Sequence, residues 1–427
     1  MIAAITRSIE RRLTVGRVTV AAALIASVLG TFGLPQLLKI DERMRDGFGQ
    51  LYGHDFAMFW TAGRVTIETG PEAPWQRKAF ESAFNRYYPD HKTDRDSVRF
   101  NYPPVMLLAL APLSHLPVTT AYPLVMAAGF LFMVIALFRI LPTPHTVLWA
   151  LGMPLLWQSM IYGQWSFWFA GFLAFALMPV AQGRGPAPWA CAVFILKPPL
   201  AVALPLACLG VPDGVRSALR TVAMCCGLIA LSMLVFGLAS WQSFVASLSD
   251  SQRFLIGGLD DLIMHSTTFG SMVQMLGASA STARTMQLLF TFAILLLTAF
   301  IMRAGPRNAL KAALIAVACV LAAPYFMIYD FALLVPAVAF YICDAQRHGF
   351  RTGDKLILLV CAVIPLVATE IQEAYHLPLP FLIALMVYGL IATRAFASAA
   401  ENQRSAECNE TKSSGMIPTE RLFQHEH

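Results

Sequence analysis

Residues 18–38 read VTVAAALIASVLGTFGLPQLL, a stretch of 21 residues without a charged side chain. A helix of about 20 apolar residues is long enough to cross the hydrocarbon core of a bilayer. Four arginines, Arg7, Arg11, Arg12 and Arg17, precede this stretch. Its length and the positive charge before it predict a membrane-spanning helix that remains as an anchor.

The whole chain has the composition of a membrane protein. Of its 427 residues, 57% are hydrophobic and 13% are charged, and the mean hydropathy is +0.61. Soluble domains carry about 25% charged residues, so this chain has too few to cover a soluble protein of its size. We therefore exclude the soluble, disordered and fibrous classes and predict an all-α polytopic membrane protein.

Further apolar runs fill most of the chain after residue 100. The candidates are Tyr102–Leu116, Val118–Ile140, His145–Ile161, Trp165–Val180, Trp189–Leu196, Leu200–Leu209, Leu219–Leu238, Thr285–Ile301, Leu310–Tyr325, Phe331–Cys343, Lys355–Thr369 and Pro380–Phe396. Several are too short to cross alone, so we predict roughly 11–13 transmembrane or re-entrant helices. Because no internal repeat or second domain is found, residues 1–403 are predicted to be one transmembrane domain. The polar residues 404–427 are predicted to be a disordered cytoplasmic tail.

One long polar stretch, Lys39–Arg99, interrupts these runs and holds 20 of the chain's 56 charged residues. A loop of this size in a compact protein is commonly functional or contains short helices of its own. Helical spacing predicts two amphipathic helices in it, Ala57–Thr69 and Gln76–Tyr88, lying flat at the membrane interface. We therefore interpret residues 39–100 as a catalytic loop outside the membrane.

The Lys and Arg residues are unevenly distributed over the breaks between the apolar runs. They collect at the N-terminus and at Arg184, Arg216, Arg220, Arg303, Arg307, Lys311, Arg347, Arg351, Lys355, Arg394 and Arg404. The breaks at 162–166, 241–283, 324–330 and 370–380 contain few of them. Because cytoplasmic loops are rich in Lys and Arg, both termini are predicted to be cytoplasmic and the first loop to lie outside the cell (inner) membrane. Arg139 fits only if one of the two runs between Tyr102 and Ile140 does not cross, so the number of spans there stays open.

Most of the unusual polar residues fall on the side that is predicted to be outside. They are His54, Asp55, Tyr102, Gln164, His265, Tyr329 and Asp330. Lys197 interrupts an apolar run, where an ionisable group is costly and commonly marks a site. Each also has an ordinary interpretation. Lys197 would reach back to the membrane surface, Asp55 and Asp330 would cap helix N-termini, Gln164 would bond a neighbouring helix, and His265 would be a solvated loop residue.

The sequence lacks the motifs of nucleic-acid, nucleotide and metal binding. The net charge of +6 follows from the cytoplasmic Lys and Arg, so no nucleic-acid partner is expected. There is no G-x-G-x-x-G and no P-loop, and Asp94-Arg95-Asp96, which has metal–nucleotide spacing, lies in a charged loop without a βαβ pattern. The eight Cys residues show neither C-x-x-C spacing nor a nearby His set, so no metal site is predicted. We expect no cofactor and leave a divalent-metal requirement open.

Five short blocks resemble glycosyltransferase family 87 and occur in the order of that family. They are Asp55–Arg64 (DFAMFWTAGR), Phe100–Pro104 (FNYPP), Tyr162–Gln164 (YGQ), Lys197–Pro198 (KP) and Ala323–Asp330, where Ala323-Pro324-Tyr325 is followed by Tyr329-Asp330. Two places depart from the family pattern. Trp165 stands where Asn is common, and the loop block reads His265–Gly270 (HSTTFG).

The resemblance implies both a fold and an activity. The family contains membrane mannosyltransferases of the GT-C superfamily that use polyprenyl-phosphate-mannose, so it implies a GT-C-type helical bundle. It also implies that a hexosyl group, expected to be mannosyl, moves with inversion from a polyprenyl-phosphate sugar to a lipid or glycan acceptor. The reaction would take place at the outer face of the membrane, among membrane lipids.

The resemblance also assigns roles to residues. Asp55 would be the general base that removes the proton of the acceptor hydroxyl. Lys197, and after it Arg64, His265 and Tyr329, would stabilise the negative charge that grows on the leaving phosphate. The substrate-pocket candidates are His54, Tyr102, Gln164 and Asp330.

Two other functions stay open on the sequence. A transporter or flippase of envelope lipids or glycans also needs buried polar residues and broken helices, although the chain lacks repeats and has a large charged first loop. The other is a non-catalytic scaffold in envelope assembly. An enzyme requires Asp55 and Lys197 to converge on one outward-facing cavity, whereas a transporter requires its charges near mid-membrane.

Overall fold

The computed structural model describes residues 2–91, 98–256 and 266–414. In these ranges the chain forms helices and turns, and its β-structure is limited to two isolated bridges, Arg45 with Leu51 and Ser266 with Met327. The predicted all-α fold is therefore confirmed. His265 lies outside the described residues.

The described helices are numbered here in the order of the chain. The first eleven are α1 (Ile2–Arg12), α2 (Val15–Val28), α3 (Leu34–Leu38), α4 (Asp55–Glu68), α5 (Arg77–Tyr87), α6 (Leu107–Leu113), α7 (Val118–Ile140), α8 (His145–Leu151), α9 (Pro154–Ile161), α10 (Ser166–Leu177) and α11 (Pro188–Ala192). The others described are α12 (Gly214–Ile256), α13 (Phe269–Met275), α14 (Ala280–Arg303), α15 (Asn308–Ala322), α16 (Leu334–His348), α17 (Asp354–Val363), α18 (Ala368–Tyr375) and α19 (Leu379–Ser414). Short 3-10 segments include Pro104–Met106, Val193–Leu196, Pro198–Ala201, Leu204–Cys208 and Ile328–Leu333, and a π-helical turn, Leu29–Gly33, joins α2 to α3.

Among the described residues, six helical segments are long and apolar enough to cross a membrane: Val15–Leu38, Val118–Ile140, Gly214–Ser249, Ala280–Arg303, Ile328–His348 and Leu379–Ser405. The chain is therefore a multi-pass membrane protein. Four shorter apolar segments accompany them: Pro104–Leu113, Ser166–Gln182, Pro198–Cys208 and Asn308–Ala322. Pro104–Leu113 is only about 15 Å long, half of a hydrocarbon core. Of the two runs on either side of Pro117, only Val118–Ile140 is therefore long enough to cross.

The centre of the bundle is the hairpin of α15 and α16. Every residue from Ala312 to Ala323 has at most 4% of its surface exposed. A helix that is apolar on all sides has to be buried on all sides. The small side chains of Ala313 and Ala316 let α14, α16 and α19 pack closely around α15.

The first loop contains the two predicted helices. α4 and α5 match the predicted Ala57–Thr69 and Gln76–Tyr88 closely. That α4 lies flat at the membrane interface stays a prediction, but α5, α6 and α7 pack around it and bury most of its apolar side chains, with Ile67 exposed. A Cβ on Gly63 would lie 2.3 Å from the carbonyl oxygen of Leu110, so α4 and α6 approach too closely for a side chain at this position.

Two segments differ from the predictions. Residues 241–256, the first part of the predicted break 241–283, are helical, because α12 continues past a kink at Gly237, whose φ of 77° lies in the left-handed region. α19 continues from Arg404 to Ser414, where a disordered tail is predicted. Residues 404–414 contain no Gly or Pro, so nothing in them stops the helix.

Two contacts define the ends of the bundle. The backbone N–H of Gly47 donates to the carbonyl oxygen of Gln36 at 2.7 Å, so the loop before α4 lies where the first span ends at Leu38. Before the first span begins, Glu10 Oε1 accepts a hydrogen bond from the backbone N–H of Gly353 at 2.9 Å, which joins α1 to the start of α17. These ends are called the Leu38 end and the Glu10 end below.

A buried ion network joins the start of α15 to α16, α17 and α19. Arg394 Nε donates to Asp344 Oδ2 at 2.7 Å, and Arg307 Nε donates to Asp344 Oδ1 at 2.7 Å. Arg394 Nη1 also reaches Asp354 Oδ2 at 3.4 Å. Only 2% of Arg394 is exposed. This arginine, one of the predicted cytoplasmic Lys and Arg residues, therefore pairs with carboxylates inside the protein and not with solvent or lipid.

Candidate active site

The N-terminus of α4 is fixed by an unusual turn. Gly53 has a φ of 75° and His54 a φ of 46°, and the helix begins at the next residue, Asp55. The backbone N–H of Asp55 donates to the carbonyl oxygen of Tyr162 at 3.2 Å. The start of α4 is therefore attached to the turn between α9 and α10, which contains Tyr162, Gly163 and Gln164.

Gly163 allows this attachment. Its φ is 61°, and a Cβ at this position would lie 2.2 Å from the carbonyl oxygen of Gly53 and 2.8 Å from Cβ of Phe56. No side chain fits that space, and an L-residue rarely adopts that φ. The structure thus explains why glycine precedes glutamine in the Gly163-Gln164 block: the glycine allows Gln164 to lie against the first turn of α4.

Gln164 holds the carboxylate of Asp55. Its Nε2 donates to Asp55 Oδ2 at 2.5 Å, and the hydroxyl of Tyr102 donates to its Oε1 at 3.5 Å. Only 4% of Gln164 is exposed. Within the described ranges no other side chain donates a hydrogen bond to this carboxylate. Asp55 therefore does not use its side chain to cap α4, and a carboxylate oxygen remains for a substrate.

The surroundings of Asp55 tune its basicity. Burial raises the pKa of Asp55 above its ordinary value, and the hydrogen bond from Gln164 and the positive charge of Lys197 oppose this rise. A carboxylate whose pKa is shifted toward neutral accepts a proton more readily in a transition state than an ordinary one. This location suits a general base.

His54 lies next to Asp55 and is partly buried. Its ring lies 5.6 Å from the ring of Tyr162, centroid to centroid. Burial lowers the pKa of His54, which favours the neutral imidazole at neutral pH. Its buried Nε2 has no hydrogen-bond partner among the described residues, so it is free to bond a substrate atom.

A second charged group, Lys197 with Asp330, lies close to Asp55. Lys197 Nζ donates to both carboxylate oxygens of Asp330 at 2.7 Å, and Ser166 Oγ donates to Oδ1 at 3.0 Å. Lys197 is 7% exposed and Asp330 is fully buried, so the lysine does not reach back to a membrane surface. The contact of Asp330 with the backbone N–H of Met327 is longer, at 3.5 Å, so the ion pair is its main interaction.

The segment that carries Tyr329 and Asp330 is held from two sides. Ser159 Oγ, on α9, donates to the carbonyl oxygen of Tyr329 at 2.5 Å. The backbone N–H of Thr267 donates to the carbonyl oxygen of Phe326 at 2.9 Å. The described part of the loop block that follows position 265 therefore lies beside this segment.

Aromatic rings connect the two charged groups. The ring of Tyr162 lies 5.6 Å from the ring of His54 and 5.5 Å from the ring of Tyr329, and Lys197 Nζ lies 5.2 Å from the centre of the Tyr329 ring. Seven of the predicted site residues are thus brought into one group, called the site cluster below. They are His54, Asp55, Tyr102, Gln164, Lys197, Tyr329 and Asp330.

Arg64 does not belong to the site cluster. It lies nine residues after Asp55 on α4, about 13 Å along the helix. Its guanidinium donates to Glu68 Oε1 at 2.5 Å and lies 6.0 Å from the centre of the Tyr87 ring. The spacing DFAMFWTAGR predicts the helix but not that Arg64 faces α5.

Two supporting residues are missing from the sequence prediction, Ser159 and Ser166. Both bond the segment that carries Tyr329 and Asp330, and both come close to Gly163-Gln164 in the chain. The signal is present in the sequence as lone hydroxyl residues in apolar runs on either side of that block. Their partners lie more than 160 residues away in the chain, and spacing does not reveal such contacts.

Within the described ranges no three His, Cys, Asp or Glu side chains come together in a way that could hold a metal ion. The expectation that no cofactor is required stays a prediction, as does the open question of a divalent metal. The chemistry available in the site cluster comes from one free carboxylate, one ion-paired ammonium group and hydroxyl, amide and imidazole groups.

Comparison with known families decides the class of protein. The model of glycosyltransferase family 87 matches residues 100–324, more than half of the chain. The chain belongs to glycosyltransferase family 87. No curated protein and no solved structure matches it. The family 87 match includes Tyr102, Gln164 and Lys197, whereas Asp55 precedes it and Asp330 follows it.

Proposed function

We propose that this family 87 glycosyltransferase moves a hexosyl group, with mannosyl as the first candidate, from a polyprenyl-phosphate sugar to a lipid or glycan acceptor. The observation that supports this proposal best is the position of Asp55. Its carboxylate is held by Gln164 and lies close to a buried lysine that is suited to a phosphate. Membership of family 87 favours sugar transfer over transport. The site cluster agrees with this, because a transferase requires a base and a cation at one place.

A lipid-linked donor agrees with the sequence and the fold. The sequence has no nucleotide-binding motif, and the site cluster lies at the Leu38 end of the membrane-spanning helices. A sugar carried on a polyprenyl phosphate would arrive at such an end within the bilayer. The sugar-phosphate bond would then lie near the boundary, beside Asp55 and Lys197.

Asp55 would act as the general base in a single displacement. The acceptor hydroxyl loses its proton to the Asp55 carboxylate while its oxygen forms a bond to the anomeric carbon. The bond from that carbon to the phosphate oxygen breaks, and its electron pair leaves with the polyprenyl phosphate. Attack opposite to the leaving group inverts the anomeric configuration. Such proton transfer typically contributes about 10²–10⁴ in rate.

Lys197 would stabilise the phosphate as it leaves. An ammonium group has three N–H donors, and Asp330 accepts from two of them. The third is available to a phosphate oxygen whose negative charge grows in the transition state. Tyr329, whose ring lies beside Nζ, and the neutral His54 would add contacts to the donor or acceptor.

The topology is part of the proposal. We propose that both termini lie in the cytoplasm of the cell (inner) membrane, with the Leu38 end and its active site outside, as the Lys and Arg distribution indicates. With one span between Tyr102 and Ile140, Arg139 takes the cytoplasmic side.

Asp55→Asn tests the mechanism. The asparagine keeps the size of the side chain but removes the base, so transfer should fall at least about 10²-fold. The purified protein would be assayed with labelled polyprenyl-phosphate-mannose and, separately, with GDP-mannose as a nucleotide-sugar donor. The control variant is Glu72→Gln, which changes another carboxylate in the first loop. Unfolding temperatures of both variants should match that of the wild type. Near wild-type transfer by a folded Asp55→Asn would refute the base, and use of GDP-mannose would refute the lipid donor.

A further inference from the structure

A basic cleft lies at the Glu10 end, far from the site cluster. It has a volume of about 210 Å³ and is lined by Glu10, Arg11, Phe350, Arg351, Thr352 and Lys355. These residues come from α1, from the connection between α16 and α17, and from the first turn of α17. The hydrogen bond from Gly353 to Glu10 holds the walls together.

The cleft has more positive than negative charge. Glu10 is the one carboxylate in its lining, and Glu10 Oε1 already accepts from the backbone N–H of Gly353 at 2.9 Å and of Lys355 at 3.1 Å. The neighbouring Asp354 is also engaged, because its Oδ2 accepts from the backbone N–H of Arg351 at 2.7 Å and from Arg394 at 3.4 Å. The three cations Arg11, Arg351 and Lys355 thus face a single carboxylate in the lining, and the cleft keeps a net positive charge.

Three cations remain available to an anion. Lys355 Nζ has a carbonyl partner, Leu13, at 3.4 Å and lies 5.4 Å from the centre of the Phe350 ring. Within the described part of the chain, the side chains of Arg11 and Arg351 have no carboxylate within ion-pair distance. A guanidinium binds the oxygens of a phosphate in pairs, and two of them beside an ammonium group form a strong phosphate site.

The position of the cleft selects the source of the phosphate. Leu13 is two residues before the first span, which begins at Val15. Apolar side chains next to the cleft are exposed, including Val15 and Val18 on α2 and Leu359 on α17. A phosphate that is attached to acyl chains can bind the three cations and lay those chains on this apolar surface, which a free phosphate cannot do.

The cleft is separate from the active site. The first span, about 36 Å of helix, lies between the Glu10 end and the Leu38 end. A phosphate in the cleft cannot be the leaving group at Lys197. This inference therefore does not rest on the proposed reaction.

We propose that this cleft binds the phosphate of an anionic phospholipid in the leaflet at the Glu10 end. Basic pockets between membrane helices at one leaflet are a known mode of anionic headgroup recognition. The bound lipid would bridge α1 and α17, and so join the first helix of the chain to the ion network of Arg394.

The test is lipid binding to the purified full chain in detergent, counted by native mass spectrometry. Phosphatidylglycerol, phosphatidylcholine and sodium phosphate would be titrated separately into the wild type, Arg11→Gln/Arg351→Gln and the control Arg216→Gln/Arg220→Gln. The control removes two exposed arginines from the start of α12. Each charge near a membrane surface is worth about 1 kcal/mol, so removing both should weaken phosphatidylglycerol binding ~30-fold.

The expected result is one phosphatidylglycerol that binds more tightly than phosphatidylcholine, that binds ~30-fold more weakly to Arg11→Gln/Arg351→Gln and that the control retains with wild-type affinity. Equal binding of the two lipids, or equal loss in both variants, would overturn the proposal. Saturation by sodium phosphate alone would show a site for the free anion instead. Since Arg11 and Arg351 are exposed and not ion-paired, both variants should fold, and unchanged unfolding temperatures without added lipid would verify this.

Discussion

Asp55 illustrates how one hydrogen bond sets the basicity of a partly buried carboxylate. Burial favours the protonated acid, whereas the amide of Gln164 favours the ionised form. The pKa of Asp55 stays above its ordinary value. Because only the ionised form removes the acceptor proton, the acidic limb of the pH–rate profile should lie higher than that of an exposed aspartate.

Gln164→Leu should move this limb further. Without the amide donor the ionised form is less stable, so the pKa of Asp55 rises and activity is lost at a higher pH on acidification. A hydrogen bond to a charged group is worth about 1.5–3 kcal/mol, so the limb of kcat/KM should move up by about one pH unit or more. Tyr102→Phe, which removes a longer contact at 3.5 Å, should move it less. A profile that Gln164→Leu leaves in place would show that the limb does not report Asp55.

The ion pair of Lys197 and Asp330 allows a phosphate-binding role to be separated from a structural one. Lys197→Met alone leaves the buried Asp330 carboxylate unpaired, which costs about 3–5 kcal/mol of stability. The double variant Lys197→Met/Asp330→Asn has no unpaired charge, so its unfolding temperature should recover. Its transfer should not recover, with a higher donor KM and a lower kcat, whereas Lys197→Arg should keep part of the activity. Transfer that returns together with stability in the double variant would assign the lysine to the fold alone.

At the scale of elements, the site depends on how the turn between α9 and α10 meets the start of α4. Gly163 and Gly53 make this contact: a Cβ on Gly163 would lie 2.2 Å from the carbonyl oxygen of Gly53, and Gly53 itself has a φ of 75°. Gly163→Ala should push the Gln164 amide away from Asp55 and lower transfer at least about tenfold, with a stability loss of about 1–3 kcal/mol from crowding and strain. The measurements are transfer rate and unfolding temperature.

Gly49→Ala is the matched control for that prediction. Gly49 lies in the loop before α4 and has a positive φ of 78°, like the 61° of Gly163, but a Cβ there would meet nothing within 4 Å. It therefore introduces the backbone strain without the collision. If Gly163→Ala and Gly49→Ala lose the same activity, backbone strain at a positive φ, and not the displacement of Gln164, would be responsible for the loss.

The sequence predicts elements better than it predicts their partners. The bounds of α4 and α5 follow from helical spacing, because spacing shows which residues share a face. It does not show what covers that face, so the burial of α4 and the contact of Arg64 with Tyr87 are not predicted. The family 87 blocks in the sequence identify most residues of the site cluster. They do not reveal that Lys197 pairs with Asp330, because the two residues lie 133 positions apart and no local sequence pattern predicts such a contact.

At the scale of the whole molecule, the distribution of Lys and Arg has a measurable consequence. On a cysteine-free background, Asp90→Cys in the first loop should react with a membrane-impermeant maleimide added to intact cells. Gln346→Cys, exposed near the end of α16, should react only after the membrane is opened. Both labels are read on gels of the purified protein. Labelling of Asp90→Cys only in opened cells would reverse the orientation and place the site cluster in the cytoplasm.

The buried network around Arg394 also constrains the order of biogenesis. Asp344 is synthesised 50 residues before Arg394, and Asp354 is synthesised 40 residues before it. Arg307 is available earlier and can pair with Asp344, but Asp354 must wait for the last helix to supply its arginine. A buried carboxylate without a cation is strongly unfavourable. We therefore expect α17 to pack stably into the bundle only after α19 has been synthesised, so that this end of the protein closes late in translation.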